Sequence, residues 1–459
     1  MKPGHRTIVA LCLAIGMAVT LPPPSRAAVI SQSPDSGASP ASPATPANPS
    51  AEADRSKATS AYSLPPEKLA KAIALSRIRN TLDIVGSVWG VLVLWLILAI
   101  GLAAGLERWT QRVFSRRWLQ GLLFFAAFLV ILFLAGLPLD IAGHHFSRAY
   151  GISVQSWASW LGDQGKSLGL SLVFGAPILL LFNWIVRVSP RRYWLWAWVA
   201  TLPILVLVIF VSPLLEPIFN KFEPLNKNHP DLVARLEQVA TRTGTNIPPE
   251  RMFLMKASLK TNGLNAYVSG IGATKRIVVW DTTAGRVPDD EVMFVFGHES
   301  GHYVLKHIPK MLTGFAVGLF FVYWACAAFS ALLARRFGQR WRLEGGDSAL
   351  AGRAGFVVLV FAVSVAGFLL QPAANAFSRH FEHQADIYGQ EAIHGLVPDA
   401  QKTAVAGFNA LGEAWLEDPD PSPFIEFWLY NHPSVKTRAN FAAQYNPWAN
   451  GGHGEFFAN

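Results

Sequence analysis

Cysteine and charged residues are both scarce in this sequence. Only two cysteines occur in 459 residues, Cys12 in an N-terminal apolar stretch and Cys326 in a later one. A framework of disulfide bonds is therefore excluded. Charged residues make up 15% of the chain and hydrophobic residues 51%, which is not the composition of a soluble protein. The composition indicates a membrane protein.

The positive charge of the chain is not arranged as it is in a nucleic-acid-binding protein. The formal net charge is +9, and the arginines stand in short clusters beside apolar runs. Such clusters are typical of the cytoplasmic loops of membrane proteins. We therefore expect the lipid bilayer, and no nucleic acid, as a partner of this chain.

The N-terminus has the parts of a secretory signal. A basic start precedes an apolar run over residues 8–21, and a small-x-small pattern ends at Ala27. This pattern predicts a signal peptide over residues 1–27, cleaved after Ala27. An uncleaved signal anchor remains an alternative. Residues 28–64 follow, and their Ser/Pro/Ala bias predicts a disordered tether.

Six later apolar runs have the length of about 20 residues that a helix needs to cross a bilayer. None carries an acidic or basic residue in its middle, which disfavours an ion- or proton-coupled transporter. The runs are Ile84–Leu106, Trp118–Leu139, Ser167–Arg187, Tyr193–Leu214, Met311–Ala334 and Ala354–Ala376.

The arginines predict the orientation of these spans. They are concentrated in alternate loops, whereas the loop over residues 140–166 has only two basic residues of the Lys/Arg type. The arginines are Arg108, Arg112, Arg116 and Arg117 after the first span, Arg187, Arg191 and Arg192 after the third, and Arg335, Arg336, Arg340, Arg342 and Arg353 after the fifth. Since such loops stay cytoplasmic, residues 215–310 and the tail after Ala376 should be extracytoplasmic, on an inner (plasma) membrane.

The segment over residues 215–310 has a mixed α/β pattern. A helix is predicted from Asn228, and the stretches MFLMKA, NAYVSG and RIVVWD are predicted to be short strands. Pro288 and Asp289 are typical of the start of a further helix. This last helix contains the stretch FGHESGHYVLKH.

The pattern H-E-x-x-H in that stretch predicts a metal site. His298 and His302 are four residues apart and share a helix face, so both imidazoles can bind one Zn²⁺. Glu299 lies between them, where it can take a proton from water. Two histidines and a glutamate on an apolar helix would be costly to bury without such a partner.

A third ligand is expected in NAFSRHFEHQADIYG. Glu382 and Asp386 are four residues apart there, which suits a ligand carboxylate and a carboxylate that orients a ligand imidazole. His380 and His383 remain alternative ligands. Two spans lie between His302 and Glu382, so the chain returns to the side of the membrane that it left.

The motifs HESGHYVLKH, NAFSRHFEHQAD and HPSVKTR together resemble the integral-membrane zinc metalloproteases of the type I CAAX prenyl endopeptidase family. The likeness continues in LPPEKLAKAIALSR, YGISVQSWASWLGDQGKS, PIFNKFEPL and NAYVSG, and covers nearly all of the chain beyond about residue 64. It implies a mainly α fold, in which a bundle or basket of transmembrane helices carries an inserted α/β zincin-like metalloprotease domain.

The resemblance also implies roles for individual residues. His298, His302 and Glu382 would bind one zinc ion per chain, Glu299 would be general base and acid, and Asp386 would orient a ligand. Asn265, Ala266 and Tyr267 would lie on an edge strand that pairs with the substrate backbone. His432 would stabilise the oxyanion, and Arg438 would support it.

The predicted organisation has four parts after the tether. Residues 65–214 form a membrane domain with four spans, 215–310 the catalytic α/β segment, 311–376 a two-span hairpin, and 377–459 the rest of the peptidase. Its substrates would be peptides or membrane-associated, misfolded proteins, because an extracytoplasmic site is not expected to meet prenylated proteins. A zinc-bearing membrane chaperone or assembly factor with little turnover is the alternative; the oligomeric state is not predicted.

Overall fold

The computed structural model describes residues 60–270, 272–449 and 451–457. The predicted signal and most of the predicted tether lie outside these residues. The end of the tether was predicted wrongly, because Tyr62 and Leu64 are buried at 2% and 9% exposure. The Tyr62 hydroxyl donates to the carbonyl of Glu417 over 3.1 Å, so this segment is packed into the protein core.

Helices make up most of the described chain. Six segments of the described chain are long and apolar enough to cross a membrane; five are single helices, and one is a pair of consecutive helices. In chain order the helices are α1 (Pro66–Ala99), α2 (Leu102–Val113), α3 (Arg117–Ala149), α4 (Trp157–Leu170), α5 (Ala176–Val188), α6 (Tyr193–Phe219), α7 (Pro230–Arg242), α8 (Asp281–Ala284), α9 (Asp289–Val304), α10 (His307–Phe337), α11 (Arg353–Ile393), α12 (Ala400–Trp415), α13 (Pro423–Leu429) and α14 (Val435–Gln444).

The six spanning segments confirm the predicted fold class; five contain their predicted runs, and the first overlaps its run only in part. They are α1, α3, α4 with α5, α6, α10 and α11. The first predicted run was placed too late in the chain, because α1 ends at Ala99 and Gly101 adopts a left-handed φ of 74°. The third span begins earlier than predicted and contains a π-helical turn, Ser171–Gly175, between α4 and α5.

The two largest of the four hydrophobic clusters among the described residues lie in different parts of the fold. One lies among the spans and includes Phe124 and Phe356, and the other lies beneath the sheet and includes Leu236 and Phe294. The helices α1 and α11 contribute to both cores. At a rise of 1.5 Å per residue, the 41 residues of α11 extend about 60 Å, about twice a hydrocarbon core. The same helix therefore crosses the bilayer and enters the second core.

The arginine-rich loops lie at one end of the spans. Glu107 in α2 accepts from the backbone N–H groups of Arg353 and Ala354 at the start of α11, over 3.0 and 2.9 Å. The amide of Asn183 in α5 donates to the carbonyl of Ala351 over 3.4 Å. The three loops predicted to share a side therefore meet there, and the C-terminal part of α11 lies at the opposite end.

A small four-stranded sheet lies at that opposite end. Its strands are β1 (Phe222–Pro224), β2 (Met252–Met255), β3 (Ala266–Ser269) and β4 (Arg276–Trp280), in the spatial order β1-β2-β4-β3. Three of them were predicted and β1 was missed. The pair β2 and β4 is parallel, whereas β3 runs antiparallel to β4. β3 is thus an edge strand, and it packs beside α9.

Candidate metal centre

The helices α9 and α11 approach each other closely because glycines face each other between them. A Cβ atom on Gly297 would lie 3.0 Å from the carbonyl oxygen of Gly389, and one on Gly389 would lie 2.8 Å from the backbone nitrogen of His298. Larger side chains would force the helices apart. Gly297 in the H-E-x-x-H helix and Gly389 in α11 therefore bring the first helix within reach of the side chains of the second.

Three side chains from these helices converge on one point. Among the described residues, His298, His302 and Glu382 form a group whose ligand atoms all lie within 4.8 Å of one another. The two Nε2 atoms are 3.2 Å apart, and Glu382 Oε2 lies 3.3 Å from that of His298 and 3.7 Å from that of His302. Ligands at 2.0–2.1 Å from a tetrahedral zinc would be about 3.3 Å apart. The triangle thus has the size of a zinc site.

The hydrogen bonding of Glu382 also fits a cation. Its side chain is 3% exposed, and its Oε2 atom has no hydrogen-bond partner among the described residues. A buried carboxylate oxygen without a partner is costly. A metal ion between this oxygen and the two imidazole nitrogens would supply the missing partner, so the residues present fit the group.

His298 is held from behind by a buried ion pair. Its Nδ1 atom lies 2.9 Å from Asp386 Oδ1, and Asp386 is paired with Arg438, whose Nε donates to Oδ2 over 2.8 Å. Burial alone would lower the pKa of His298, but its interactions with Asp386 and Glu382 raise it to about 9. The Arg438 guanidinium also lies 3.3 Å from His298 Nδ1, so it contacts His298 at the nitrogen that faces away from the triangle.

His432 lies on the other side of Glu382. Its Nε2 atom is 3.3 Å from Glu382 Oε1, and its Nδ1 atom is 3.0 Å from Asn431 Oδ1. Burial lowers the pKa of His432 to about 4, against the opposing influence of Glu382. The imidazole is therefore neutral at physiological pH and carries one N–H, for which Asn431 Oδ1 and Glu382 Oε1 are competing acceptors.

Glu299 lies next to the three ligand side chains without belonging to the ligand triangle. It is half-buried, and it accepts a hydrogen bond from the backbone N–H of Val268 on β3. Burial raises the pKa of the Glu299 carboxyl, although His298 and His302 oppose that effect. Such a carboxylate can accept a proton more readily than an exposed one.

The register of β3 determines which of its backbone groups are free. Trp280 donates its backbone N–H to the carbonyl of Asn265 over 3.1 Å, so Asn265 faces β4. Alternate residues of an antiparallel pair share this orientation, and Tyr267 therefore also pairs inward, opposite Val278. Ala266 and Val268 direct their N–H and C=O groups away from the sheet, on the edge beside α9, where the N–H of Val268 is already used by Glu299.

The three predicted strand residues thus differ in what they offer a ligand. Ala266 presents its backbone, whereas the backbone of Tyr267 is used within the sheet and its hydroxyl donates to Glu216 over 2.9 Å. Tyr267 is therefore a poor substrate contact. The side-chain Nδ2 of Asn265 is buried without a hydrogen-bond partner among the described residues, so it is a spare donor. Val268 was missed, although the two-residue period of a strand would have identified it.

The alternative ligands lie away from the centre. His380 is exposed, and the ring of His383 packs against Phe441 with 4.6 Å between centroids. Two further residues that contact the centre were missed. His307 lies 3.1 Å from His302, and Gln384 lies 3.1 Å from His307. A third histidine five residues after His302 was the available signal.

Comparison with known families gives two matches that together cover most of the chain. Residues 226–446 match the family described as Peptidase family M48. Residues 53–221 match a family described as CAAX prenyl protease N-terminal, five membrane helices. Four of the six candidate spans of the described residues lie in this second region. The boundary between the matches falls between α6 and α7.

Individual relatives agree with these matches. The chain is 32% identical over 387 residues to an uncharacterized metalloprotease, YhfN, of Bacillus subtilis, covering 84% of this chain and 88% of the relative. It is 28% identical over 294 residues to a CAAX prenyl protease 1 homolog of Dictyostelium discoideum, covering 63% and 65%. The crystal structure of S. mikatae Ste24p has a TM-score of 0.70 at 22% identity, covering 83% of this chain and 90% of that one; this likeness concerns the fold.

Proposed function

This chain belongs to peptidase family M48 and is a multi-pass membrane metalloendopeptidase, and we propose that His298, His302 and Glu382 hold the one zinc ion that such an enzyme requires. The observation that carries the proposal is the triangle of two Nε2 atoms and one unpartnered carboxylate oxygen, with edges of 3.2, 3.3 and 3.7 Å. Two imidazoles and one carboxylate are a common donor set for catalytic zinc, which leaves one position open.

When bound, the metal would lower the pKa of water and polarise a peptide carbonyl. Glu299 acts as general base and general acid. It takes a proton from the attacking water and gives that proton to the leaving nitrogen as the peptide bond breaks. Its half-buried position beside the ligands, and the pKa that burial raises, suit both steps.

The free edge of β3 binds the substrate as an additional strand. Ala266 supplies a backbone donor and acceptor, and Val268 a backbone acceptor, on the edge beside α9, and a peptide paired there would lie along the H-E-x-x-H helix. The unpartnered Nδ2 of Asn265 provides a further donor. Substrates are therefore selected in an extended conformation, by backbone contacts as well as side chains.

His432 donates its Nε2–H to the oxyanion that develops on the scissile carbonyl, in the tautomer in which the Asn431 amide is turned to donate to Nδ1. Its neutral imidazole lies at the rim of the ligand triangle, 3.3 Å from Glu382 Oε1. Arg438 was expected to support the oxyanion. We propose that it acts through Asp386 instead, because its guanidinium pairs with that carboxylate behind His298.

We further propose that the centre opens on the extracytoplasmic side of an inner (plasma) membrane. The support is the arginine content of the three loops at the opposite end of the spans. Substrates would then be peptides or membrane-associated, misfolded proteins. Prenylated proteins, which the names of several relatives suggest, are not expected on that side.

Hydrolysis of a quenched peptide library by the purified full-length protein tests this function. We expect cleavage that a chelator abolishes and that added Zn²⁺ restores. Metal binding without any cleavage would favour the chaperone or assembly-factor alternative. Reporter fusions after Leu215 and after Gly346 should report opposite sides of the membrane, and a cytoplasmic signal from the first would contradict the proposed orientation.

A further inference from the structure

The ligand His302 is held by a histidine rather than by a carboxylate. Its Nε2 atom belongs to the ligand triangle, and its Nδ1 atom lies 3.1 Å from Nδ1 of His307. The two rings are nearly perpendicular, at 79°, with 5.1 Å between their centroids. His307 is fully buried, at 0% exposure. Water therefore cannot replace it as the partner of His302.

A second contact fixes the direction of the hydrogen bonds. The Nε2 atom of His307 lies 3.1 Å from the side-chain carbonyl oxygen of Gln384. An amide oxygen only accepts hydrogen bonds, so Nε2 of His307 carries the proton. In a neutral imidazole the other nitrogen is then an acceptor, and His302 must donate its Nδ1–H to it. Nε2 of His302 is thereby left unprotonated, which is the form that binds a metal.

The backbone is bent to make this contact possible. The helix α9 ends at Val304 and α10 begins at His307, and between them Lys306 adopts a left-handed φ of 57°. A residue other than glycine is rarely found there. The bend turns the His307 ring back onto His302, whereas a continuous helix would have placed residues five apart on different faces. Phe381, next to Glu382, also packs against the His307 ring, with 4.8 Å between centroids.

We propose that His307 is a positioning residue, which together with Gln384 fixes the tautomer and the ring orientation of the zinc ligand His302. The inference rests on the proposed zinc site. It also connects the two helices that carry the proposed ligands, because Gln384 lies on α11, two residues from the ligand Glu382. The chain from His302 through His307 to Gln384 couples the first half of the site to the second.

Titration of the metal-free, full-length protein with Co²⁺, followed by its visible absorption, tests this role without requiring proteolysis. Removing a group that orients a ligand costs roughly 10- to 100-fold in metal affinity. We therefore expect His307→Leu, which keeps the bulk and loses the acceptor, to weaken Co²⁺ binding by about that factor. His307→Asn keeps an acceptor near the Nδ1 position and should recover much of the lost affinity.

The Gln384 variants provide the matched pair if His307→Leu does not fold. Gln384→Glu keeps the acceptor for His307 and should bind Co²⁺ nearly as tightly as the wild type. Gln384→Leu removes it and should bind more weakly, with an altered absorption spectrum. Equal Co²⁺ affinity and spectra in both Gln384 variants would overturn the proposal, as would an unchanged affinity in a folded His307→Leu.

Different results would contradict the zinc site and the positioning role of His307. If the wild type bound no Co²⁺ or Zn²⁺ at all, the proposed zinc site would be lost, and the role of His307 with it. If the wild type bound metal and cleaved peptides while every His307 and Gln384 variant behaved like it, only the positioning role would be lost.

Discussion

Arg438 and Asp386 form a buried ion pair directly behind a proposed zinc ligand. Nε of Arg438 donates to Asp386 Oδ2 over 2.8 Å, and the two side chains are 4% and 5% exposed. Asp386 Oδ1 meanwhile lies 2.9 Å from His298 Nδ1. A single carboxylate therefore satisfies a buried cation and orients an imidazole. Its loss should affect both the stability of the fold and the affinity for metal.

The first prediction concerns the stability that this ion pair gives to the metal-free protein. Removing one partner of a buried ion pair typically costs about 3–5 kcal/mol, because the other charge is left unpaired. Asp386→Ala should therefore lower the thermal midpoint of the metal-free protein strongly, whereas Asp420→Ala, in the more exposed pair with Lys436, should cost no more than about 1 kcal/mol. Equal midpoints for the two variants would contradict the buried role of Asp386.

The second prediction concerns pH and metal binding. The pKa of His298 is raised to about 9 in the absence of metal, so this ligand carries a proton at neutral pH. Metal binds only the neutral imidazole and must displace that proton. Apparent affinity should therefore rise about tenfold per pH unit below pH 9 and then level off. Co²⁺ titrations between pH 6.5 and 8.5 measure this slope, and an affinity independent of pH would count against it.

The third prediction concerns the hydrogen bond that Val268 on β3 donates to Glu299. Val268→Pro removes the N–H that faces Glu299 without breaking a bond to β4, since proline is tolerated on a strand edge. A lost hydrogen bond of about 0.5–1.5 kcal/mol corresponds to as much as a tenfold reduction in kcat/KM. Val268→Ile keeps the N–H and is the control. Peptide kinetics for both variants measure this effect, and equal kcat/KM values would show that the hydrogen bond from Val268 to Glu299 does not contribute to catalysis.

The fourth prediction concerns the bend at Lys306. A left-handed φ costs most residues roughly 1–2 kcal/mol, and the cost is greatest for β-branched side chains. Lys306→Gly should therefore keep or slightly raise the thermal midpoint and keep metal affinity. Lys306→Val should lower both, because the chain would straighten and draw His307 away from His302. A Lys306→Val protein as stable as the glycine variant would indicate that the bend has no such role.

Much of the fold could be predicted because membrane spans have a strong local signal. Six apolar runs gave six spanning segments, and the composition alone excluded a soluble protein. The boundaries were less accurate, since α1 begins in the polar stretch at Pro66 and ends at Ala99. A helix that is polar outside the bilayer and apolar within it shows no single pattern. The three-residue strand β1 is shorter than any pattern that identifies a strand.

The site was predictable where spacing along one helix carried the information. His298, Glu299 and His302 are close in sequence, and Glu382 and Asp386 share a face. Contacts that depend on tertiary structure were not predictable. The contact of His307 with His302 requires the left-handed Lys306, and the inward pairing of Tyr267 depends on the register of β3 against β4. Neither contact can be predicted from the local periodicity of the sequence.

The Glu299→Gln variant tests the proposed zinc-dependent hydrolysis most sharply, because it removes the proposed base and leaves the three proposed ligands in place. Loss of a general base typically costs about 10²- to 10⁴-fold in rate. Glu67→Gln, an exposed change in the first turn of α1, is the matched control. Metal content and peptide hydrolysis are measured on the same purified samples. The account predicts that Glu299→Gln retains one zinc per chain while hydrolysis falls by at least about a hundredfold. Hydrolysis at the wild-type rate by the zinc-loaded variant would contradict it.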